Sequence, residues 1–442
     1  MHEDAGSMRT RRQTGKTFLF RLASVLLLTL FSFFSWIRCG GAAEGELRLQ
    51  DLIDDALKYN HEILVNEARI SASRFRIPQV TSLPDPMVTF GYQNESFKKY
   101  TYGDKEGSQW MFTASQSFPY PGKLSLKGEM AAKEAEGLRA ASGSIRLKTI
   151  EKVKGLYYDL LFAYKSIDII RDRAALFSRL EDAAVARYSS GLGLQQEVLM
   201  VQTEKYMLLE KEEMVKQKIE SLEAMINSTV GRNINAPVGR PVEEKETEFA
   251  TSMEELLATH VQHSPMVREK EEMISAAEIA VKIARKEYYP DFTVNAEYFK
   301  RAREFEDMWS LTTSINIPLF YKTKQRQAVF EKEALLSEAV HDLEAVKLML
   351  SSTIRDNYTM VKTAERLMNL YKNGLVPKTY QDFEAALAGY TTGKVEALTV
   401  INRLRSLLDY ETLYWAQFAE REKAIARLQA VAGTMDSGRN DQ

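Results

Sequence analysis

The chain has 442 residues, of which 45% are hydrophobic and 27% charged, and its formal net charge is −2. This composition is typical of a folded protein of one to three domains and is too polar for a helical membrane transporter. The balanced charge also excludes the global basic field that would indicate a nucleic-acid partner.

Residues 1–43 are predicted to be a signal peptide. Four basic residues between Arg9 and Lys16 precede an apolar stretch from about Leu22 to Ile37, and the small residues 41–43 follow it. This order is typical of a secretory signal cleaved before Glu44. An uncleaved inner-membrane anchor is the alternative interpretation.

The only cysteine of the chain, Cys39, lies at the end of this segment. Acylation of Cys39 would produce a lipoprotein, but Arg38 directly before it is a poor residue for a lipidation signal. Cleavage after Ala43 would leave a mature chain without cysteine, which excludes thiol catalysis, thiolate metal ligands and disulfides. No later stretch has eighteen consecutive apolar residues, so we expect no second transmembrane helix.

The strongest feature of the sequence is an internal repeat of about two hundred residues. Pro84 and Pro290 are 206 positions apart, Trp110 and Trp309 are 199 apart, Pro119 and Pro318 are 199 apart, and Tyr188 and Tyr390 are 202 apart. This period is too long for a solenoid and indicates duplication of a large unit. We predict a first structural repeat at 44–232, a linker at 233–250, a second repeat at 251–432 and a flexible tail at 433–442.

Each repeat is predicted to contain a helix, two strands and a long helical hairpin, in that order. The opening helices are placed at about 47–77 and 252–288, the strands at 86–97, 109–118, 291–300 and 308–317, and the hairpins at 122–230 and 321–432. Prolines end the opening helices, and Pro377 is expected to kink the second hairpin.

The long helices carry a coiled-coil seam. No proline occurs between Pro121 and Pro237. Apolar residues recur there at steps of three and four, at Ile150, Val153, Tyr157, Leu160, Tyr164, Ile167, Ile170, Ala174 and Phe177. Ile401, Leu404, Leu408, Trp415 and Phe418 give a similar seam in the second repeat. A helix over residues 123–187 would be roughly 100 Å long at about 1.5 Å per residue, a length that suits a tube across the periplasm.

The four strands alternate apolar and polar residues over about ten residues, the length that crosses a bilayer as a tilted strand. Trp110, Phe118 and Trp309 would mark the membrane interfaces. Four strands cannot close a membrane barrel, and open edges in lipid leave unpaired backbone groups, so several chains must pool their strands. A pair of amphipathic hairpins in a soluble α+β domain is the alternative.

These segments resemble those of the outer-membrane efflux protein family, the TolC-like channels. The resemblance rests on Tyr188-x-x-Gly191 followed by Glu197-Val198-Leu199, on Tyr390-x-x-Gly393 followed by Glu396-Ala397-Leu398, and on the strand-to-helix junctions Pro119–Lys123 and Pro318–Lys322. It covers both repeats. Residues 83–86 and 118–123 look most like the branch that serves heavy-metal efflux pumps.

The resemblance implies a mainly α fold with a membrane β-barrel part: a trimeric channel-tunnel of twelve pooled strands, closed at the helical turns. It implies residence in the outer membrane of a Gram-negative bacterium, extending into the periplasm. It also implies a passive exit duct for metal cations or small toxic compounds. The expected partners are a periplasmic adaptor and an inner-membrane pump of the resistance-nodulation-division type.

The aperture candidates are the residues at the two hairpin turns. Glu197 and Glu396 would form acidic rings that select cations, or would only complement the dipoles of the return helices. Gln195 and Gln196 would line the same opening, and Tyr188 and Tyr390 would latch neighbouring helices. Gly191 and Gly393 would make the turns themselves.

No enzyme, cofactor or metal site is predicted. His260 and His263 could share one helix face, but no further ligands accompany them, so we expect exposed histidines. Gly389-x-x-x-Gly393-Lys394 is one residue too short for a phosphate loop and has Val395 where Ser or Thr is needed. The competing interpretation is a periplasmic coiled-coil adaptor or structural protein, although an adaptor normally needs only one helical hairpin.

Overall fold

The computed structural model describes residues 46–260 and 263–433. The predicted signal peptide, Cys39 and nearly all of the predicted tail lie outside the described residues. Within the described ranges, no helix is both long enough and apolar enough to cross a bilayer.

The first half of the chain contains two helices, two strands and a helical hairpin. These are α1 (Leu49–Tyr59), α2 (His61–Thr81), β1 (Met87–Gln93), β2 (Gln109–Phe118), α3 (Lys123–Ser189) and α4 (Gln195–Thr229). Residues 233–250 follow without a helix or strand. Leu47 forms an isolated bridge with Pro241, and the Tyr157 hydroxyl donates to the Val242 carbonyl at 2.7 Å. The segment between the halves is thereby held against the middle of α3.

The second half repeats this order. A short helical segment, Met253–Glu255, continues into a π-helical turn, Leu256–His260. The elements that follow are α5 (Pro265–Lys286), β3 (Asp291–Lys300), β4 (Met308–Asn316), α6 (Gln325–Leu370), a second π-helical turn (Tyr371–Leu375), α7 (Val376–Thr391) and α8 (Ala397–Ala432). Pro377 lies in the first turn of α7, just after the π-helical turn.

The opening helix of the first half is interrupted, which corrects the single helix predicted at 47–77. Asn60 separates α1 from α2, and its side-chain oxygen accepts hydrogen bonds from the backbone N–H groups of Glu62 and Ile63, at 2.8 and 3.2 Å. Its amide nitrogen donates to the Thr229 carbonyl at 2.7 Å. The helix then continues past Pro78 to Thr81, beyond its predicted end.

Two other predicted boundaries also differ from the structure. The single helix predicted at 252–288 is interrupted at Ser264, and α5 begins at Pro265, a residue suited to the first turn of a helix. The strand predicted at 86–97 ends at Gln93. Beyond it, the Asn94 side chain accepts from the Thr101 backbone N–H at 2.9 Å and donates to the Lys99 carbonyl at 2.8 Å, which closes a loop instead.

Helix α3 is 67 residues long and buries one stripe of apolar side chains. Val153, Tyr157, Leu160 and Phe177 are each at most 1% exposed, at positions that the seam predicted. They divide between two neighbouring core clusters that α3 forms with the other long helices. The stripe repeats with the helical period, so one face meets the partner helices along most of the length.

The four strands form one antiparallel sheet in the order β1-β2-β3-β4. The halves therefore meet inside the sheet, where β2 pairs with β3 and Ser115 lies opposite Asn295. One aromatic row crosses all four strands through Phe90, Phe112, Tyr298 and Trp309. Thr89, Thr113, Glu297 and Ser310 form a polar row on the other face. The sheet thus has one apolar and one polar face, and β1 and β4 are its edges.

Candidate aperture at the helical turns

The turn between α3 and α4 depends on a glycine in the left-handed conformation. Gly191 has a φ of 72°. Its backbone N–H donates to the Tyr188 carbonyl at 3.0 Å, and the Leu192 N–H donates to the Arg187 carbonyl at 2.9 Å. These bonds satisfy the last carbonyls of α3, as in a glycine-capped helix end. A side chain at position 191 would strain the backbone.

The turn between α7 and α8 has the same geometry. Gly393 has a φ of 75°, its N–H donates to the Tyr390 carbonyl at 3.0 Å, and the Lys394 N–H donates to the Gly389 carbonyl at 2.9 Å. The motifs Tyr188-x-x-Gly191 and Tyr390-x-x-Gly393 therefore encode equivalent turns. A tyrosine at the helix end and a left-handed glycine three residues later define each of them.

Arg187 joins the two turns. One guanidinium nitrogen donates to the Tyr390 carbonyl at 2.8 Å, and the other donates to the Leu192 carbonyl at 2.9 Å. The guanidinium also lies 5.0 Å from the centre of the Tyr390 ring, in cation–π contact. One arginine from the first half thus caps the carbonyls of both turns. The sequence alone does not mark Arg187 as a site residue, because its main partner is 203 residues away along the chain.

Tyr390 and Glu197 form a second link between the turns. The Tyr390 side chain is fully buried, and its hydroxyl donates to a carboxylate oxygen of Glu197 at 2.9 Å. Burial, together with this hydrogen bond to the carboxylate, raises the pKa of Tyr390 to about 12. The hydroxyl therefore keeps its proton at neutral pH and remains a donor. Tyr188, at the equivalent position of the first turn, is 49% exposed, so the two tyrosines of the repeated motif have different surroundings in the structure.

The remaining aperture candidates lie at the start of the return helices. Gln195 and Gln196 are exposed in the first turn of α4, and Glu197 follows them, half-buried. Glu396 is exposed at the residue before α8, and its side chain makes no capping hydrogen bond. Glu197 lies in the first turn of α4, where a carboxylate complements the helix dipole, and it also accepts the hydrogen bond from Tyr390 in the other turn.

Ion pairs cross between helices just behind the turns. Arg179 of α3 binds the Glu384 carboxylate of α7 through two nitrogens, at 2.8 and 3.1 Å. Lys205 of α4 contacts Glu181 of α3 at 2.7 Å. The hydrogen bonds from Arg179 and Lys205 hold the pKa values of Glu384 and Glu181, respectively, below their usual range. Each pair joins different helices and restrains the tip of the bundle.

The predicted membrane-interface aromatics occupy the apolar face of the sheet. Trp110 and Phe118 lie at opposite ends of β2, and Trp309 lies near one end of β4 and is 78% exposed. Trp110 stacks on Phe90 with ring centres 5.1 Å apart and an interplanar angle of 11°.

The described residues contain no group of three or more His, Cys, Asp or Glu side chains that could hold a metal ion. His263 is exposed, whereas the His260 side chain lies outside the described part of the structure.

Comparisons with known proteins agree with this architecture. The family model described as "Outer membrane efflux protein" matches residues 256–434. The cobalt-zinc-cadmium resistance protein CzcC of Cupriavidus metallidurans is 20% identical over 407 residues, covering 88% of this chain and 91% of that protein.

Solved structures extend the likeness to the fold of both halves. The outer membrane protein VceC of Vibrio cholerae matches with a TM-score of 0.73 at 18% identity, covering 87% of this chain and 96% of VceC. The CmeC outer membrane channel of Campylobacter jejuni matches with a TM-score of 0.74 at 13% identity, covering 89% of this chain and 87% of CmeC. Residues 256–434 thus match the outer membrane efflux protein family model, and both halves of the chain share the fold of these outer-membrane channels.

Proposed function

We propose that this protein is the outer-membrane duct of a tripartite efflux system, a passive exit for substrates delivered by an inner-membrane pump and a periplasmic adaptor. One observation carries the proposal. A four-stranded sheet with an apolar face is continuous with a helical bundle built on a helix of 67 residues, roughly 100 Å at about 1.5 Å per residue. The sheet suits a bilayer, and the bundle suits a tunnel that begins at the membrane.

The apolar face of the sheet argues against the alternative of a periplasmic adaptor. Val88, Phe90, Trp309 and Leu311 are each more than 60% exposed in the single chain. A contiguous exposed apolar surface on a sheet is costly in water and stable against lipid. The protein therefore stays in the outer membrane, and its long helices extend into the periplasm.

Three measurements test this function. After carbonate and salt washes, the mature protein should remain with outer-membrane vesicles, and the purified oligomer should conduct ions in a planar bilayer. A washed-off, non-conducting protein would contradict the proposal. Deletion of the gene should sensitise the cell to substrates of the cognate pump.

We propose that three copies assemble, and that a pump of the resistance-nodulation-division type and its adaptor supply the substrate. Support for the metal branch comes from CzcC, whose name states cobalt, zinc and cadmium resistance. The described part of the chain has no convergent metal ligands, so selection of the metal is assigned to the pump. Deletion should then sensitise cells to one or more of these cations, and unchanged metal tolerance with raised sensitivity to organic toxins would reassign the cargo. We assign the chain no enzymatic activity.

We further propose that the two helical turns form the aperture. The link from Tyr390 to Glu197 and the Arg187 bridge hold the turns of the two halves together. Glu197 and the exposed Glu396 would bring two carboxylates per protomer to a narrow opening, where rings of like charge favour cations.

The double variant Glu197→Ala, Glu396→Ala tests this role. We expect a lower cation preference in single-channel recordings and a larger leak of the closed state. The variant Glu210→Ala, which removes a carboxylate from the exposed side of α4 away from the turn, is the matched control. Unchanged selectivity and leak in the double variant would remove these carboxylates from the aperture.

A further inference from the structure

The sheet ends at two open edges, β1 and β4. Large apolar side chains are exposed on both, with Val88 77% and Phe90 62% exposed on β1, and Leu311 65% and Ile315 56% exposed on β4. The outer N–H and C=O groups of both edges also lack strand partners within the sheet. A lipid environment does not tolerate such edges.

The two β-hairpins of the chain have the same register. In the first, Met87 lies opposite Ser115. The repeat offset is 206 residues for β1 and 199 residues for β2. Met87 therefore corresponds to Thr293 and Ser115 to Ser314, and these two residues lie opposite each other in the second hairpin. The offsets read from the sequence therefore hold residue by residue in the structure of the sheet.

The junction between β2 and β3 shows how one half of the chain docks on the other. Lys123 at the start of α3 has a side chain only 3% exposed and binds the Asp291 carboxylate at 2.9 Å. The same carboxylate accepts from the Tyr120 backbone N–H at 2.6 Å, and the Tyr120 ring stacks on Tyr289 with centres 4.5 Å apart. A lysine, an aspartate and a stacked pair thus fix the seam where the two halves meet.

The equivalent residues at the open edges have no such partner among residues 46–260 and 263–433. Lys322 is the repeat equivalent of Lys123, 199 positions later, and Asp85 is the repeat equivalent of Asp291, 206 positions earlier. Both of these side chains are exposed. By the same offsets, the stacked tyrosines correspond to Leu319 and Leu83, which are 75% and 50% exposed. An aromatic pair on one seam thus corresponds to an aliphatic pair on the other, so the apolar match is kept.

From this symmetry, and resting on the proposed trimeric channel, we propose that β4 of one copy pairs with β1 of the next in a single defined register. Ser314 lies opposite Thr89 of the neighbouring copy, Ile315 lies opposite Val88, and Lys322 binds Asp85. Leu319 packs on Leu83 at the same seam.

The face of the sheet provides an independent check on this register. The proposed register places Leu311 and Ile315, on the apolar face of β4, beside Tyr92 and Val88 of the neighbouring copy, on the apolar face of β1. A slip of one residue would place them beside polar-face residues and turn one strand of the barrel inside out. The register obtained from the repeat offsets satisfies this condition without adjustment.

Disulfide trapping tests the register, because the mature form is expected to lack cysteine. Directly opposed residues of an antiparallel pair have Cα atoms about 4.5–5.5 Å apart, within the range of a disulfide. We expect the double variant Thr89→Cys, Ser314→Cys to oxidise to covalent dimers and trimers on non-reducing gels. The control Thr89→Cys, Ser310→Cys displaces the pair by four residues, about 13 Å, and should remain monomeric on the same gels.

The outcomes separate this inference from the proposed function. If the protein conducts in the outer membrane but forms disulfides in the control pair, in both pairs or in neither, the proposed function stands and the proposed register is wrong. A monomeric protein without conductance overturns both. In addition, Lys322→Asp should lower the temperature at which the native oligomer dissociates on gels, and Asp85→Lys in the same chain should restore it. An oligomer insensitive to Lys322→Asp would remove the ion pair from the seam.

Discussion

The hydroxyl of Tyr390 offers the most direct test of the aperture. It donates to the Glu197 carboxylate at 2.9 Å from a fully buried ring, and Tyr390→Phe would remove this bond while keeping the ring that Arg187 contacts. Hydrogen bonds to charged groups contribute about 1.5–3 kcal/mol. Because Glu197 is half-buried and water can reach its carboxylate, we expect the lower value, about 1.5 kcal/mol per protomer.

This loss of free energy corresponds to roughly a tenfold shift of the closed–open equilibrium of each turn towards the open state. The assay is the closed-state leak of the purified channel in planar bilayers. Tyr206→Phe is the control, because Tyr206 lies on the return helix α4, which also carries Glu197, and is 73% exposed. We expect a raised leak for Tyr390→Phe and none for Tyr206→Phe. A folded Tyr390→Phe channel with the leak of the wild type would refute the argument that this bond holds the aperture shut.

Three further predictions concern the turns and the helices behind them. Gly191→Ala should destabilise the first turn by about 1 kcal/mol, because alanine is strained at a φ of 72°, and hydrogen exchange of residues 188–193 should rise; unchanged exchange would contradict the strain. The hydrogen bonds from Arg179 lower the pKa of Glu384, so the ion pair stabilises the tip fully above pH 4.5, the usual pKa of a glutamate, and this stabilisation is lost as the pH falls below that value. The closed-state leak should therefore rise only in acid. Glu384→Gln should abolish the part of this acid-induced rise that comes from the ion pair. Phe383→Ala should cost about 3–5 kcal/mol, because this side chain is fully buried between the helices, and urea denaturation would detect it; a loss below 1 kcal/mol would mean that the site collapses around the cavity.

The features that the sequence predicted well are those that depend on periodic burial. Val153, Leu160 and Phe177 follow the helical period because one face of α3 is buried along its length. The strands alternate because their faces meet different surroundings, and the aromatic row across the sheet continues that alternation. Such patterns are local, so a single sequence displays them.

The features that the sequence did not predict depend on distant partners. The break at Asn60 is stabilised by the Thr229 carbonyl, 169 residues away, and no local signal marks that contact. Arg187 resembles any other helical arginine until α7 brings the Tyr390 carbonyl to it. The difference between Tyr188 and Tyr390 arises for the same reason, because identical motifs meet different neighbours in the two halves.

The length of α3 limits how such a protein can change its reach. Adding one heptad would extend the helix by about 10 Å while keeping its apolar stripe in phase. The stripe packs against helices of both halves, so an insertion in α3 alone would shift every later layer of the core against its partners. To match an envelope of different thickness while keeping this packing, whole heptads must therefore be added to or removed from all the long helices together. The length of the molecule thus changes in fixed steps rather than continuously.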